Sequence, residues 1–393
     1  MSNAATRRFA LHIDPVLALT VAALILLGLT MMASASIAVA ERMHGVPQFF
    51  LQRQSLYLVL ALMVGGVLLL IPMRWWAATG FVSLTVALVL LTAVLLPGVG
   101  HTVNGATRWI DLGPMNLQVS EVSRLLMFFY ICSYLVRHGE AMRESLMGFT
   151  RPMLFVFLAC ALLLVEPDFG AATVLLGTTL VVMFIGGVRL RDYAPLVLVA
   201  VGAMALLVYK EPYRMKRFLG FVDPFADPYH SGFQLTQSLI AIGRGEWFGV
   251  GLGSGVQKLF YLPEPHTDFV FAVLAEELGL AGALLTIGLF CALVARGFAI
   301  ARRAARHDLM FQSYLAYTLV TWFALQSFIN IGVNMGILPT KGLTLPFISY
   351  GGSSLIVTLA SVALLLRVHH ETSVVEANAV AGGKRADSRG PMQ

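Results

Sequence analysis

Apolar residues in this chain come in long unbroken runs, each about the length of a membrane crossing, separated by short polar links. A helix rises about 1.5 Å per residue, so roughly 20 apolar residues cross a hydrocarbon layer. Ten stretches meet that pattern, near 15–37, 51–71, 78–96, 120–136, 152–165, 170–188, 193–209, 268–295, 310–335 and 345–367. They predict an all-α polytopic membrane fold of about ten spans over 15–367. A segment 1–14 precedes it, and a polar tail 368–393, expected to be disordered, follows. The first run is too long for the apolar core of a signal peptide and reads as a span.

One link breaks the rhythm. Residues 210–267, between the seventh and eighth runs, are too many for a simple connection and rich in aromatic, basic and Gly residues. Such composition fits an ordered loop lying along the membrane interface with one or two short helices. The Gly-dense stretch Gly243 to Gly255 suggests mobility.

Composition agrees with this picture. Of 393 residues, 58% are hydrophobic and only 12% charged, against about 25% charged in soluble domains. The net charge of +6 does not point to nucleic acid, because the basic residues fall mainly in short links. With the N-terminus inside, Arg74, Arg137, Arg143, Arg151, Arg189, Arg191, Arg296, Arg302, Arg303 and Arg306 lie in cytoplasmic links, against Arg42, Arg53, Arg108 and Lys341 opposite. The positive-inside rule therefore puts both termini in the cytoplasm and the long loop outside. Cys132, Cys160 and Cys291 sit inside apolar runs without ligand spacing.

Ionisable groups at membrane depth are costly and usually functional. Asp268 stands where the long loop enters the eighth span, in LPEPHTDFVFAVLAEELG, with Glu264, His266 and the Glu276/Glu277 pair nearby. It reads either as a helix cap or as a reactive carboxylate. Glu121 and Arg124, spaced i, i+3, suit a structural ion pair. Arg108, in NGATRWIDLG, could snorkel to headgroups or hold a phosphate. Glu166 and Asp168 flank Pro167 in a turn that reads as solvated with a helix N-cap, or as a substrate contact. In LPTKGLTLPFISYGGSS, Lys341 marks the interface or, with Ser349, Ser353 and Ser354, a polar cavity; Pro346 and Gly351–Gly352 interrupt that span. With Arg244 from the loop, these groups imply a mixed-charge cleft on the external side.

The segments GRGEWFGVGLGSGVQKLFYLPE, HTDF, EPDFG, NGATRWIDLG and PTKGLTLPFISYGGSS together resemble the SEDS family of bacterial envelope proteins, and its cell-division branch more than its elongation branch. The family commonly has Pro and Lys where this chain has Val119 and Arg124. The resemblance implies a peptidoglycan glycosyltransferase that polymerises lipid II at the division septum of the bacterial inner membrane, its site facing the periplasm. It implies a class B penicillin-binding protein, the septal transpeptidase, and other divisome membrane proteins as partners. Asp268 maps onto the essential aspartate and would act as general base. Arg108, Arg244, Glu264, His266, Lys341 and Ser349 would contact substrate, while Glu121, Arg124, Glu166, Asp168 and Glu276 would be structural or regulatory. The resemblance establishes no cofactor; a divalent cation (Mg2+ or Mn2+) is plausible for stabilising a leaving pyrophosphate, though no spacing marks its ligands. A lipid II flippase, an elongation-type polymerase and a non-catalytic scaffold are the rival readings.

Overall fold

The computed structural model describes residues 11–387 apart from 104, 105, 112, 114, 231 and 341. Its first helix, α1 (Pro15–Ala35), shows how the sequence writes an end: the Asp14 carboxylate accepts from Leu17 N at 2.9 Å, and Pro15 fills the first turn. An acceptor there satisfies an otherwise orphaned N–H, and Pro has none to lose. The chain continues through α2 (Ile37–His44), α3 (Phe49–Leu70), α4 (Met73–Ala78) and α5 (Gly80–Ala93). A small antiparallel sheet follows, β1 (Gly100–Val103), β2 (Ala106–Asp111) and β3 (Asn116–Gln118), in that order. Then come α6 (Val119–Glu144), α7 (Leu146–Val165), α8 (Phe169–Ile185), α9 (Leu190–Lys210), α10 (Pro212–Val222), α11 (Phe233–Arg244), α12 (Val270–Arg306), α13 (Met310–Asn334) and α14 (Gly352–Asp387).

Among the described residues, eight helices are long and apolar enough to cross a membrane; α5 and α8 are shorter apolar helices. Each expected run therefore has a helix. The sheet has no counterpart in the sequence reading, because its strands are too short to show alternation. Helices α3 and α14 pack together, α12 lies against α1 and α13, and α6 bridges α5, α7 and α13. Helix α9 stands at the periphery with nearly all its side chains uncovered. Large apolar groups such as Leu19, Phe81, Leu198 and Leu284 point outward. A surface so apolar has lipid as its solvent.

Three expectations change. The last span begins at Gly352 rather than near 345, since Pro346 and the Gly pair hold 342–351 in irregular backbone. The chain beyond Arg367 stays helical to Asp387 instead of forming a disordered tail. Charge pairing explains the continuation. Arg303 meets Glu376 at 2.5 Å, His307 meets Glu376 at 3.1 Å and Arg367 meets Glu371 at 3.0 Å. Close by, Arg296 grips the buried Asp14 at 2.5 Å, and His369 faces Asp14 at 3.5 Å.

The third change concerns the Gly-dense loop, which is locked. Helix α12 breaks at Gly279 (φ +68, ψ −165), and the loop's backbone inserts there. Val250 N and Gly251 N donate to Glu276 O and Glu277 O at 3.0 and 3.1 Å, while Leu280 N and Ala281 N donate to Glu246 O and Trp247 O at 2.8 and 3.1 Å. Gly249 (φ +78) lies so close to the break that a Cβ would fall 2.1 Å from Glu277 O. Two backbones can approach that closely only where the side chain is missing.

Candidate active site

Four loops flagged by the sequence meet at Asp268. The aspartate precedes α12 and lies outside the spanning segment. Its side chain does not cap the helix. That duty falls to Asn334, whose Oδ1 accepts from Ala272 N at 3.1 Å. Among the described residues the Asp268 carboxylate accepts no hydrogen bond, and it is partly buried. The loop around it is held by its backbone instead. Asn330 and Asn334 donate side-chain N–H groups to Asp268 O at 3.0 Å each. Ser349 Oγ donates to Thr267 O at 2.6 Å and accepts from Leu345 N at 2.7 Å. Tyr350 N donates to His266 O at 2.9 Å.

The neighbouring turns close around this aspartate. A Cβ on Gly342 would sit 3.1 Å from Asp268 Oδ2, and one on Gly170 would touch Leu343 at 2.9 Å. Gly342 and Leu343 thus lie between EPDFG and HTDF. Arg108, on β2, donates through Nε to Glu166 O at 3.0 Å and through Nη2 to Pro167 O at 2.5 Å. Asp168 caps α8 by accepting from Ala171 N at 3.0 Å, and its second oxygen accepts from Ser120 Oγ at 3.0 Å. The expected cap is present, but the expected solvated turn is not: Glu166 and Asp168 are both buried.

Electrostatics single out two carboxylates. Asp268 is pushed up to about 7 by burial and by the Glu264 carboxylate, against the pull of Arg217 and Arg108. Glu166 is pushed up to about 8 by burial and by Asp168, opposed by Arg108, and among the described residues neither of its oxygens has a hydrogen-bond partner. Loss of hydration disfavours the charged form in both. A carboxylate that titrates near neutrality can take a proton from a hydroxyl, and two guanidinium groups beside it can hold an anion.

The other expected site residues have specific duties. Glu264, exposed with φ +51, accepts Thr267 Oγ1 at 2.9 Å. His266 is buried against Phe50, ring centroids 4.7 Å apart, and burial pulls it below its usual range. Ser349 Oγ holds the loop through Thr267 O and Leu345 N, while the buried His266 Nδ1 has no hydrogen-bond partner among the described residues. Arg244 pairs with Glu276 at 3.4 Å rather than with Asp268. Glu276 also accepts from Val256 N and Gln257 N at 2.9 and 3.2 Å, so it shapes the loop. Glu121 and Arg124 form a buried ion pair, with the Arg124 guanidinium 4.4 Å above the Trp322 ring. Lys341 lies outside the described residues.

Sequence reasoning assigned no site role to several participants. Arg217 on α10 is near enough to act on Asp268. Glu277, Lys258 and Ser34 form a buried cluster: Lys258 Nζ donates to Glu277 at 2.6 Å and to Ser34 Oγ at 2.6 Å. Gln326, Asn330 and Asn334 line α13. Amides repeating every fourth residue in an apolar helix are a readable signal; a lone Ser or a loop Arg is not.

A membrane-embedded helical bundle with a near-neutral carboxylate between cations is the class of protein that fold and site define. The pattern of the family described as cell cycle protein, which covers FtsW, RodA and SpoVE, matches residues 15–374. This chain belongs to that family, the SEDS proteins. A probable peptidoglycan glycosyltransferase FtsW of Thioalkalivibrio sulfidiphilus is 54% identical over 98% of this chain and 95% of that protein. A protein of the same description from Legionella pneumophila is 50% identical over 88% of each chain. Among solved structures, one describing polymerisation and crosslinking by a peptidoglycan synthase complex superposes with TM-score 0.75 at 32% identity, covering 92% of this chain and 99% of that one. The rod shape determining protein RodA of Thermus thermophilus gives TM-score 0.69 at 31% identity, over 92% and 98%.

Proposed function

We propose that this chain is a division-type peptidoglycan glycosyltransferase that polymerises lipid II, with Asp268 as general base. The observation that carries the reading is the carboxylate itself: fixed through its backbone, free of hydrogen bonds among the described residues, and set to titrate near neutrality. In the reaction, Asp268 takes the proton from the acceptor sugar's 4-hydroxyl as that oxygen attacks the donor's anomeric carbon. The bond from that carbon to the pyrophosphate oxygen breaks, and the lipid pyrophosphate leaves with the electron pair. One displacement inverts the centre, so one base suffices. Arg108 and Arg217 supply positive charge where the leaving group develops negative charge.

Among the described residues no three His, Cys, Asp or Glu side chains cluster as metal ligands. The short-link charges support both termini in the cytoplasm and the site on the periplasmic side of the inner membrane, and the likeness to FtsW proteins supports the septum. The kinship with FtsW proteins and with a peptidoglycan synthase complex supports a class B penicillin-binding protein and other divisome membrane proteins as partners.

The test is polymerisation of labelled lipid II by the purified protein with its penicillin-binding partner. Asp268→Asn keeps the shape and removes the base, and should lower turnover about 100- to 10,000-fold. Equal glycan formation by both forms overturns the reading; lipid II crossing vesicles without polymer favours the flippase.

A further inference from the structure

Helix α13 carries Trp322, Gln326, Asn330 and Asn334 at four-residue spacing, which places them along one ridge. All four side chains are buried. Each grips something different. Trp322 Nε1 donates to Gln326 Oε1 at 2.6 Å, and Gln326 Nε2 donates to Thr344 O at 2.9 Å. Asn330 Nδ2 donates to Leu343 O at 2.5 Å and to Asp268 O at 3.0 Å. Asn334 Nδ2 donates to Asp268 O and Asn330 O at 3.0 and 2.9 Å, while its Oδ1 caps α12. At the far end Arg124, paired with Glu121, lies over Trp322.

We infer that this amide ladder sets the register of the catalytic loop, and that Asn330 is its decisive positioning residue. The inference rests on Asp268 being the base. The reasoning is geometric. Asn330 joins the main chain of Asp268 to that of Leu343, one residue beyond Gly342, whose Cα faces the Asp268 carboxylate. A single amide therefore spaces the carboxylate from the 342–344 strap beside it. Three rungs along one rigid helix cannot shift independently, so the strap and the aspartate keep their separation. Burial of a polar amide inside an apolar bundle is costly unless each donor finds an acceptor. The amide N–H groups of Gln326, Asn330 and Asn334 each reach a main-chain carbonyl of the loops around Asp268 or of the ladder itself, and Trp322 Nε1 donates to the Gln326 side chain. Helix packing alone has no use for such groups.

The test compares Asn330→Ala, Asn334→Asp and Asp268→Asn in the lipid II assay, alongside hydrogen exchange of the peptides covering 266–269 and 342–348. A displacement of about 1 Å at a reacting group costs on the order of 100-fold in rate. Asn330→Ala should lower kcat by roughly 10- to 100-fold with KM for lipid II within about twofold. Exchange should quicken in both peptides. The rising limb of its pH profile should move to lower pH, because a loosened Asp268 regains water. Asn334→Asp keeps the acceptor for Ala272 N but gives up the donor, so it should slow turnover while the helix start stays protected. A purely structural role would lower the melting temperature and leave the pH profile in place.

Wild-type kcat, pH profile and exchange in Asn330→Ala would sink the inference. If that variant does not fold, Asn334→Asp with wild-type turnover and exchange sinks it equally. Should Asp268→Asn polymerise normally, the base reading fails first; the exchange data then still report whether the ladder holds the strap.

Discussion

Lys258 and Glu277 form an ion pair 2.6 Å long, with 7% and 0% of the two side chains exposed. The pair joins the long loop to helix α12 just before its break at Gly279, and Ser34 of α1 donates to the same carboxylate at 2.7 Å. Removing one partner leaves the other charge buried and uncompensated, which costs about 3–5 kcal/mol. Lys258→Met should therefore melt far below wild type in detergent. The double variant Lys258→Met with Glu277→Gln should recover much of the loss. A Lys258→Met protein that melts like wild type would refute the clasp.

Turnover should depend on pH through Asp268. The base works only when ionised, and its carboxyl titrates at about 7. Activity should rise about tenfold per unit of pH below 7 and level off above it. Initial rates between pH 5 and 9 decide this; a flat profile removes Asp268 as the titrating base.

Glu166 should weigh against stability at neutral pH. Its folded value of about 8 lies above the ordinary glutamate value of 4.5, so the folded chain holds the proton after the unfolded chain has lost it. Stability attributable to this group is complete below about 4.5 and falls as pH rises towards 8. Glu166→Gln removes that slope. Its melting temperature should match wild type near pH 4.5, exceed it increasingly up to pH 8, and keep a constant lead beyond. A lead that does not change with pH contradicts the assignment.

Arg108 should not be replaceable by Lys. Its fork reaches two successive carbonyls, Glu166 O and Pro167 O, through separate nitrogens. An ammonium keeps the charge beside Asp268 but cannot span both acceptors. Arg108→Lys and Arg108→Ala should both lose roughly 10-fold or more in turnover, as expected when a charged hydrogen-bonding group is removed. Full activity in the Lys variant would show that charge alone matters.

The sequence reveals what depends on local chemistry. Apolar runs announce each helix, and Asp168 announces its cap because a carboxylate before an apolar run has few other uses. Asp268 stood out as a charge at membrane depth. Its freedom from capping was not readable, since the residue that relieves it, Asn334, lies 66 positions away. Likewise, nothing local told that Gly249 was reserved for Gly279, or that the acid pair Glu276/Glu277 would divide its work between Arg244 and Lys258. These are meetings of distant segments, which length and periodicity do not encode. The EPDFG turn looked wet because polar residues flank a Pro; Pro167 is exposed, but Glu166 and Asp168 are buried, and Arg108 spans the carbonyls of Glu166 and Pro167.

The helical continuation past Arg367 bears on how the protein is handled at the bench. Glu371 and Glu376 belong to the clasps that bind α14 to α12 and to its own preceding turn. A truncation at Arg367, chosen because the remaining residues look dispensable, strips Arg303 and His307 of their shared acid. A reporter or purification handle is better joined beyond Glu376, where it hangs from a finished helix rather than replacing its fastening.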